Sequence, residues 1–377
     1  MSELIKAPKG LAGVVTDTTS VSKVMPETNS LTYRGYAVQE LAEKATFLEV
    51  AYLLVHDDLP TQTEFETFSK KEKRYRVLSA DLHEIIRRYP PKAHPMDFLR
   101  TGVSFLGMED DRIWDNSEEA NHDKYLRLLA KIPVIAAHSY RVTIGKEFIA
   151  PDENLDYVEN FFHMCFGEVP APEVIKAFDV SLILYAEHSF NASTFTTRVI
   201  TSTTSDMYSA VCGGIGALKG PLHGGANEMV MHMMNEIADS GQAPRDWMLD
   251  ALKNKKKVMG FGHRVYRSGD SRVPTMHHYA KQMAEFTGGE QWMNMYAELR
   301  QTMLDEKGIY PNLDFPAGPA YYMMGFPIDF FTPIFVMARI TGWSAHIMEQ
   351  TADNRIIRPL SEYIGEAQRE VRSIEKR

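Results

Sequence analysis

Residues 330–348 read FFTPIFVMARITGWSAHIM, and this long, almost uniformly apolar run decides the fold class. A helix that is apolar on every side is buried inside a protein. We therefore expect these residues to form a long helix in the core or in an interface. Because no stretch of the chain approaches the roughly 18 uncharged apolar residues of a membrane span, we expect no association with a membrane.

Helical periodicity extends outward from this run through most of the chain. Apolar side chains recur at helical intervals over residues 39–55 and 125–140, although Pro133 should bend or interrupt the second helix. Pro172 stands where the first turn of a helix tolerates proline, before another apolar series. Residues 10–36 alternate β-branched residues with turn formers. The sequence therefore predicts a mainly α-helical fold with a minor N-terminal β-hairpin or two.

Small residues crowd the segment DMYSAVCGGIGALKGPLHGG, residues 206–225. A glycine inside a helix lowers the stability of the helix by about 1 kcal/mol relative to alanine. We therefore expect a second helix to pack closely against this one and to compensate for the loss. A flexible loop is the alternative interpretation. A phosphate-binding loop is disfavoured, because Lys219 is followed by Gly220 and not by the Ser or Thr that would hold magnesium.

Composition excludes several classes of protein. The 377 residues are 44% hydrophobic and 24% charged, which is typical of a globular protein and not of a disordered chain or a disulfide scaffold. The 41 basic and 50 acidic residues give a net charge of −9, which disfavours nucleic-acid binding. Cys165 and Cys212 are the only cysteines, and residues 1–10 lack the apolar core of a signal peptide. We expect a soluble cytoplasmic protein of the size of an enzyme.

The most informative motif is GFGHRVYRSGDSR, residues 260–272. Its glycines allow a ligand to approach the backbone and offer N–H donors, and a titratable histidine and three arginines (Arg264, Arg267 and Arg272) follow. Lysines at 253, 255, 256 and 257 precede it, although a lysine run alone is usually a solvated face. Together these residues suit a phosphorylated or carboxylated ligand.

Three further segments could carry chemistry. His223 lies in GPLHGG, residues 220–225, where it is either catalytic or structural. His188 follows Glu187 at the end of an apolar helix. Asp314 lies among prolines and apolar residues in YPNLDFPAG, residues 310–318, where apolar surroundings would raise its pKa. A turn or helix-cap role is the alternative for Asp314.

Taken together and in this order, the motifs resemble those of the citrate synthase family, which includes the 2-methylcitrate synthases. The resemblance runs from LTYRGY, residues 31–36, to Arg358, with Ser271 standing where proline is more usual. It implies that Asp314 removes the methyl proton of acetyl-CoA while His223 stabilises the enol or enolate. It also implies that His263 polarises the carbonyl of oxaloacetate and protonates the forming alkoxide. The chemistry agrees, since a carboxylate can remove so weakly acidic a proton only if the developing oxygen charge is stabilised.

The resemblance also assigns the binding residues. Oxaloacetate would be bound by His188, Arg272, Arg339 and, from the second subunit of a homodimer, Arg358. Arginine suits the two carboxylates of oxaloacetate better than lysine does. Coenzyme A would be bound by a segment of consecutive residues: Lys257, Val258, Met259, Gly260, Phe261 and Gly262. No metal and no cofactor beyond the CoA thioester is expected.

The family architecture predicts two domains. We expect a large helical domain from residues 1–223 and 319–377 and a small domain from residues 224–318, with His223 at the hinge. Such a division would let the site close over the enol and reopen for release. The small-residue helix would pack in the dimer interface, and the absence of an N-terminal extension favours a dimer over hexameric, NADH-inhibited forms.

Three alternative functions stay open at the level of sequence. Propionyl-CoA could replace acetyl-CoA and give 2-methylcitrate, because one methylene is worth only about 1–3 kcal/mol of discrimination. GLAGVVTDTTSVSKV followed by LTYRGY hints at this branch. A thiolase-like enzyme would need Cys165 or Cys212 as an activated nucleophile. A metal protein would need more than His277-His278 and His346-x-x-Glu349, which do not complete a ligand set.

Overall fold

The computed structural model describes residues 9–11, 13–263, 265–266 and 269–377. Arg264 and Arg267 of the glycine–histidine motif lie outside the described residues. The described chain is mainly helical, with a small three-stranded sheet near its start, which confirms the predicted fold class. The helices are α1 Val38–Lys44, α2 Phe47–His56, α3 Gln62–Tyr75, α4 Ala80–Arg87, α5 Pro95–Met108, α6 Glu118–Thr143, α7 Tyr157–Phe166, α8 Pro172–Tyr185, α9 Ala192–Ser202, α10 Met207–Leu218, α11 Ala226–Ser240, α12 Pro244–Lys253, α13 Val273–Thr287, α14 Glu290–Lys307, α15 Asp314–Met323 and α16 Phe331–Ala352.

The sheet confirms the predicted N-terminal hairpins. Strands β1 Ser22–Met25, β2 Ser30–Tyr33 and β3 Tyr36–Ala37 are antiparallel and follow one another in the sheet. Arg34 and Gly35 join β2 to β3 and both have positive φ, which the tightest hairpin turns require. Tyr33 is fully buried, so the sheet is anchored on the helical core.

The interior of the fold is built around α16. Nearly all of its residues are buried, and it packs against α2, α6, α8, α9 and α10. The prediction that the apolar run 330–348 forms a core helix is therefore confirmed. Because α8 and α16 are neighbours, His188 just after α8 and Arg339 in α16 can face the same space.

Two local predictions need correction. The periodic stretch 39–55 is two helices, because the first ends at Lys44 and Thr46 caps the second through a reciprocal pair of bonds with Glu49. Of the two outcomes predicted at Pro133, bending or interruption, the interruption does not occur, because α6 continues from Glu118 to Thr143. The residues around Pro133 are buried against α5 and α16, and this packing outweighs the roughly 3 kcal/mol that a proline costs within a helix.

The small-residue segment forms α10, as predicted, and its glycines face neighbouring helices. A side chain at Gly213 would collide with Ile200 of α9. A side chain at Gly214 would meet Thr197 of α9 and Trp343 of α16. The close helix packing that the glycines predict therefore occurs within this chain, and the dimer interface stays a prediction for the other face of α10.

Within the described residues, no single helix is both long and apolar enough to cross a membrane. One pair of segments, Asp314–Met323 and Ile328–Ala352, meets that test only when taken together, and the two are bent by 119° relative to each other.

Candidate active site

A large cavity of about 1440 Å³ brings together nearly all of the catalytic and binding residues that the family resemblance assigns. It lies where the ends of α8 and α10, the middle of α16 and the start of α15 meet the glycine–histidine motif. The predicted residues in its lining are His188, His223, Lys257, Val258, Met259, Gly260, Phe261, Gly262, His263, Arg272, Asp314 and Arg339.

A short backbone pairing holds the glycine–histidine motif next to the aspartate motif. Phe261 and Pro311 form an isolated antiparallel bridge, in which the N–H of Gly262 donates to the carbonyl of Tyr310. Gly260 has a φ of 83°, and a side chain there would collide with Val230 and Phe315. Glycine is therefore required at position 260 by close packing. The N–H of Gly262, predicted as a ligand donor, is already used by the bridge.

His263 is a neutral imidazole with a defined tautomer. Its Nδ1 accepts hydrogen bonds from the backbone N–H groups of Val265, at 3.0 Å, and Tyr266, at 3.2 Å. Burial, and then the positive charge of Arg272, lower the pKa of His263 to about 4. The single ring proton is therefore on Nε2, which makes His263 a hydrogen-bond donor through that atom.

His223 has the opposite tautomer. Its Nε2 accepts from the backbone N–H of Ser193, at 3.3 Å, and also contacts Ser193 Oγ at 2.8 Å and Asn191 Oδ1 at 3.1 Å. Burial, and then the charge of Arg339, lower the pKa of His223 to about 3. A neutral ring whose Nε2 accepts a hydrogen bond carries its hydrogen on Nδ1. His223 is thus a neutral donor through Nδ1.

Asp314 is a buried carboxyl with raised basicity. It is the first residue of α15, and the residue at the N-cap position of that helix is Leu313. Burial raises the pKa of Asp314 to about 6. Tyr185 opposes this effect by donating its O–H to Asp314 Oδ1 over 2.8 Å. A carboxylate with such a pKa is ionised at neutral pH and is a stronger base than an exposed one.

Arg272 is held in place by Asp270. Its Nε and Nη2 bond to the two carboxylate oxygens of Asp270 at 2.9 and 2.7 Å. The same carboxylate accepts the backbone N–H of Leu313 at 3.2 Å. Asp270 therefore links the arginine to the residue that precedes Asp314, and a bidentate pair of this kind fixes the guanidinium plane.

Arg339 and His188 each bury a polar atom that has no hydrogen-bond partner within the described part of the chain. For Arg339 this atom is Nη1, while its Nε donates to the carbonyl of Tyr185 at 2.8 Å. For His188 it is Nε2, and burial keeps the pKa of His188 well below its ordinary value. Burial also lowers the pKa of Arg339 to about 10. Unpartnered polar atoms at the wall of a cavity are suited to bind a polar ligand.

The structure does not bring every predicted residue to the cavity. Arg358 is exposed in the C-terminal stretch after α16, outside the cavity of its own chain. Among the lysines, Lys257 is in the lining, whereas Lys256 pairs with Glu236 at 2.7 Å and lies over the ring of Trp247.

The thiol and metal alternatives gain no support from the described residues. Burial raises the pKa of Cys212 to about 12 and that of Cys165 well above its ordinary value, so neither is an activated thiolate. No group of three or more His, Cys, Asp or Glu side chains among the described residues is arranged to hold a metal ion. His346 instead bonds to the buried carboxylate of Glu187 at 2.9 Å.

Sequence reasoning missed several residues that shape this site. Ser193 holds His223 through its backbone N–H, and Asn191 in turn accepts the hydroxyl of Ser193 at 2.8 Å. An Asn just before a helical stretch is a typical N-cap, and this signal could have found it. Asp270 lay unremarked inside the motif, and nothing in the apolar periodicity of α8 marks Tyr185 as a partner of Asp314.

A buried carboxyl of raised pKa, neutral histidine donors and buried arginines in one cavity define an acid–base enzyme for an anionic substrate. The family model for the C-terminal domain of citrate synthase matches residues 10–360. Citrate synthase of Mycolicibacterium smegmatis is 55% identical over 368 residues, which cover 98% of each chain. 2-Methylcitrate synthase 2 of Corynebacterium glutamicum is also 55% identical, over 98% of this chain and 97% of the relative.

The solved structures agree with these relatives. A citrate synthase of Thermoplasma acidophilum, in ternary complex with carboxymethyl coenzyme A and oxaloacetate, superposes with a TM-score of 0.92 at 30% identity, covering 98% of this chain and 99% of that one. The chain belongs to the citrate synthase family. The family and the enzyme class predicted from its motifs are confirmed.

Proposed function

We propose that this enzyme condenses acetyl-CoA with oxaloacetate and hydrolyses the adduct to citrate and CoA. The observation that supports this most is that the three predicted catalytic residues, Asp314, His223 and His263, line one cavity together with Arg272 and Arg339. Asp314 has the protonation state of a base, and the two histidines have those of hydrogen-bond donors. The Thermoplasma relative, solved with oxaloacetate and a CoA analogue, supports the pair of substrates.

In the proposed reaction, Asp314 takes a proton from the methyl group of acetyl-CoA. His223 donates its Nδ1 hydrogen to the thioester oxygen, so that the charge leaving the C–H bond is stabilised as it develops. The enol carbon then attacks the ketone carbon of oxaloacetate, and the two electrons of the carbonyl bond move to its oxygen. His263 supplies its Nε2 hydrogen to that oxygen, which gives citryl-CoA. Water then attacks the thioester carbonyl and returns a proton to His263, while the proton held by Asp314 passes to the leaving CoA thiolate, so that both residues regain their starting states.

Oxaloacetate is bound by His188, Arg272 and Arg339, whose buried donors match a dianion. Lys257 and the five residues that follow it bind coenzyme A, because they line the cavity beside Asp314. No metal and no further cofactor takes part.

A second candidate is 2-methylcitrate synthesis from propionyl-CoA. It is favoured by the Corynebacterium relative, named 2-methylcitrate synthase 2, which is as similar to this chain as the Mycolicibacterium citrate synthase. The deciding experiment is thiol release with oxaloacetate and either thioester. The ratio of the two kcat/KM values names the preferred substrate, and thiol release with neither thioester from folded protein would refute both candidates.

The proposal includes a cytoplasmic homodimer in which Arg358 completes the oxaloacetate site of the partner. Its exposure outside the cavity of its own chain supports this role. Coexpression of Asp314→Asn and Arg358→Ala chains tests it. If Arg358 acts across the interface, half of the dimers are mixed and each contains one intact site, so about one quarter of the wild-type rate returns. If it acts within its own chain, no mixed dimer contains an intact site.

The proposed small domain, residues 224–318, closes on the large one about a hinge at His223. The boundary at Gly318 falls inside α15, so the C-terminal hinge would have to lie at an end of that helix. Small-angle scattering with and without oxaloacetate tests closure, and an unchanged radius of gyration in both conditions would contradict it.

A further inference from the structure

Two residues of the N-terminal sheet stand directly opposite each other and point into the core. Ser22 of β1 pairs with Tyr33 of β2 in the antiparallel register. Both are buried, Tyr33 completely. Directly opposite residues on one face of a sheet lie close enough to act on the same target. Here the target is the segment after α8 that contains His188.

Ser22 connects the two neighbours of His188. Its Oγ donates to Glu187 Oε1 at 2.9 Å and accepts the backbone N–H of Ser189 at 2.9 Å. Glu187 is a fully buried carboxylate that also accepts from His346 Nε2 at 2.9 Å. One hydroxyl thus fixes the residues before and after His188 relative to each other.

Tyr33 holds the same segment from the backbone side. Its hydroxyl lies 3.0 Å from the carbonyl oxygens of Ile183 and Glu187 and accepts the N–H of Glu187 at 3.3 Å. The last carbonyls of a helix lack partners within the helix and need such donors. Tyr33 therefore fixes the exit from α8 that leads to His188.

His188 itself needs outside support. Its Nε2 has no hydrogen-bond partner among the described residues, and its ring contacts are to His263, at 4.9 Å between centroids, and Tyr266. Its direction into the cavity is therefore set mainly by the backbone on both sides, which Ser22 and Tyr33 hold.

We propose that Ser22 and Tyr33 form a clamp that positions His188 for oxaloacetate. Both Ser22 and Tyr33 are therefore positioning residues. This inference rests on the proposed function, because it takes His188 as a ligand of oxaloacetate. The inference gives the small N-terminal sheet a role in the reaction, because the sheet fixes the segment of the cavity wall that contains His188.

The first experiment measures steady-state constants of Ser22→Ala and Tyr33→Phe. Losing a buried hydrogen bond of this kind is expected to raise KM for oxaloacetate about tenfold, while KM for acetyl-CoA and kcat stay within about twofold. Ser30→Ala and Tyr36→Phe are the matched controls in the same sheet. Tyr36 bonds to the exposed Asp58, so its loss of a hydroxyl leaves both KM values unchanged.

The second experiment separates positioning from general stability and from direct contact with the substrate. Ser22→Ala is combined with His188→Ala. If Ser22 acts through His188, it has no further effect on KM for oxaloacetate once His188 is gone. An equal rise in both backgrounds overturns the clamp, as does a wild-type KM in both clamp variants. If His188→Ala alone leaves KM for oxaloacetate unchanged, the proposed role of His188 fails, and the clamp fails with it for that separate reason.

Discussion

The hydrogen bond between Tyr185 and Asp314 predicts a pH dependence that one substitution can change. Tyr185 donates to the carboxylate, which stabilises the charged form of Asp314 and lowers its pKa, while burial has the larger, opposite effect. The net pKa is about 6. Tyr185→Phe removes the donor and leaves the burial, so the pKa of Asp314 must rise and less of the base is ionised at a given pH.

The size of this effect follows from the strength of the bond. A hydrogen bond to a charged group contributes about 1.5 kcal/mol, which corresponds to about one pKa unit. The pKa of Asp314 would then move from about 6 to about 7. At pH 6 the ionised fraction falls from about one half to about one tenth, a loss of about fivefold, whereas at pH 8 about nine tenths remains ionised.

The assay is thiol release at saturating oxaloacetate, with kcat/KM for the acyl-CoA measured between pH 5.5 and 8.5. The acid limb of the profile should move to higher pH, and the rates should converge in the alkaline range. Tyr321→Phe is the matched control, because Tyr321 is a buried neighbour whose hydroxyl bonds to Ser181 instead. A Tyr185→Phe profile that drops by the same factor at every pH would refute the reasoning, since the pKa of the base would then be unchanged.

Three further predictions concern two site residues and the pair of cysteines. Asp314→Asn should lower kcat by about 10²–10⁴-fold. It should also stabilise the fold above pH 6 by up to about 3 kcal/mol, because a carboxyl whose pKa is raised by burial destabilises the fold when ionised. Urea unfolding should show this gain disappearing below about pH 4, and a gain that persists there would contradict the cause. Arg272→Lys should raise KM for oxaloacetate by about 10–100-fold, because lysine cannot keep the bidentate contact with Asp270, and an unchanged KM would remove Arg272 from the binding site. Substituting both Cys165 and Cys212 with alanine should change kcat by less than about twofold in the thiol-release assay, and loss of turnover by folded protein would revive the thiol mechanism.

What the sequence predicts well here is either local or contained in a motif. The long apolar run becomes α16, Pro172 begins α8, and the β-branched segment becomes the sheet. These outcomes depend on periodicity and turn chemistry within about ten to twenty residues. The predicted catalytic and binding residues other than Arg358 also line one cavity, although their roles remain predictions.

The features that the sequence did not predict depend either on contacts between distant residues or on local polar hydrogen bonds that apolar periodicity does not record. Tyr185 reaches Asp314 across 129 positions, and no pattern along the chain records that contact. The continuity of α6 through Pro133 is decided by the packing around it, and the division of the 39–55 stretch depends on one capping threonine that apolar periodicity hides. The tautomer of His223 likewise depends on the backbone N–H of Ser193, 30 positions away in the chain.

The electrostatics of the site explain why its buried polar atoms matter to binding. His223 and His263 are neutral, so the positive charge that faces an anion comes from the arginines. Arg272 is already paired with Asp270, whereas Arg339 leaves Nη1 without a partner among the described residues. Such an atom costs about 1–3 kcal/mol of desolvation until an acceptor reaches it. A carboxylate of oxaloacetate at Nη1 would remove this cost and add a charge-assisted hydrogen bond. The unpartnered Nη1 therefore lowers the stability of the fold when the site is empty, and binding of the substrate restores it.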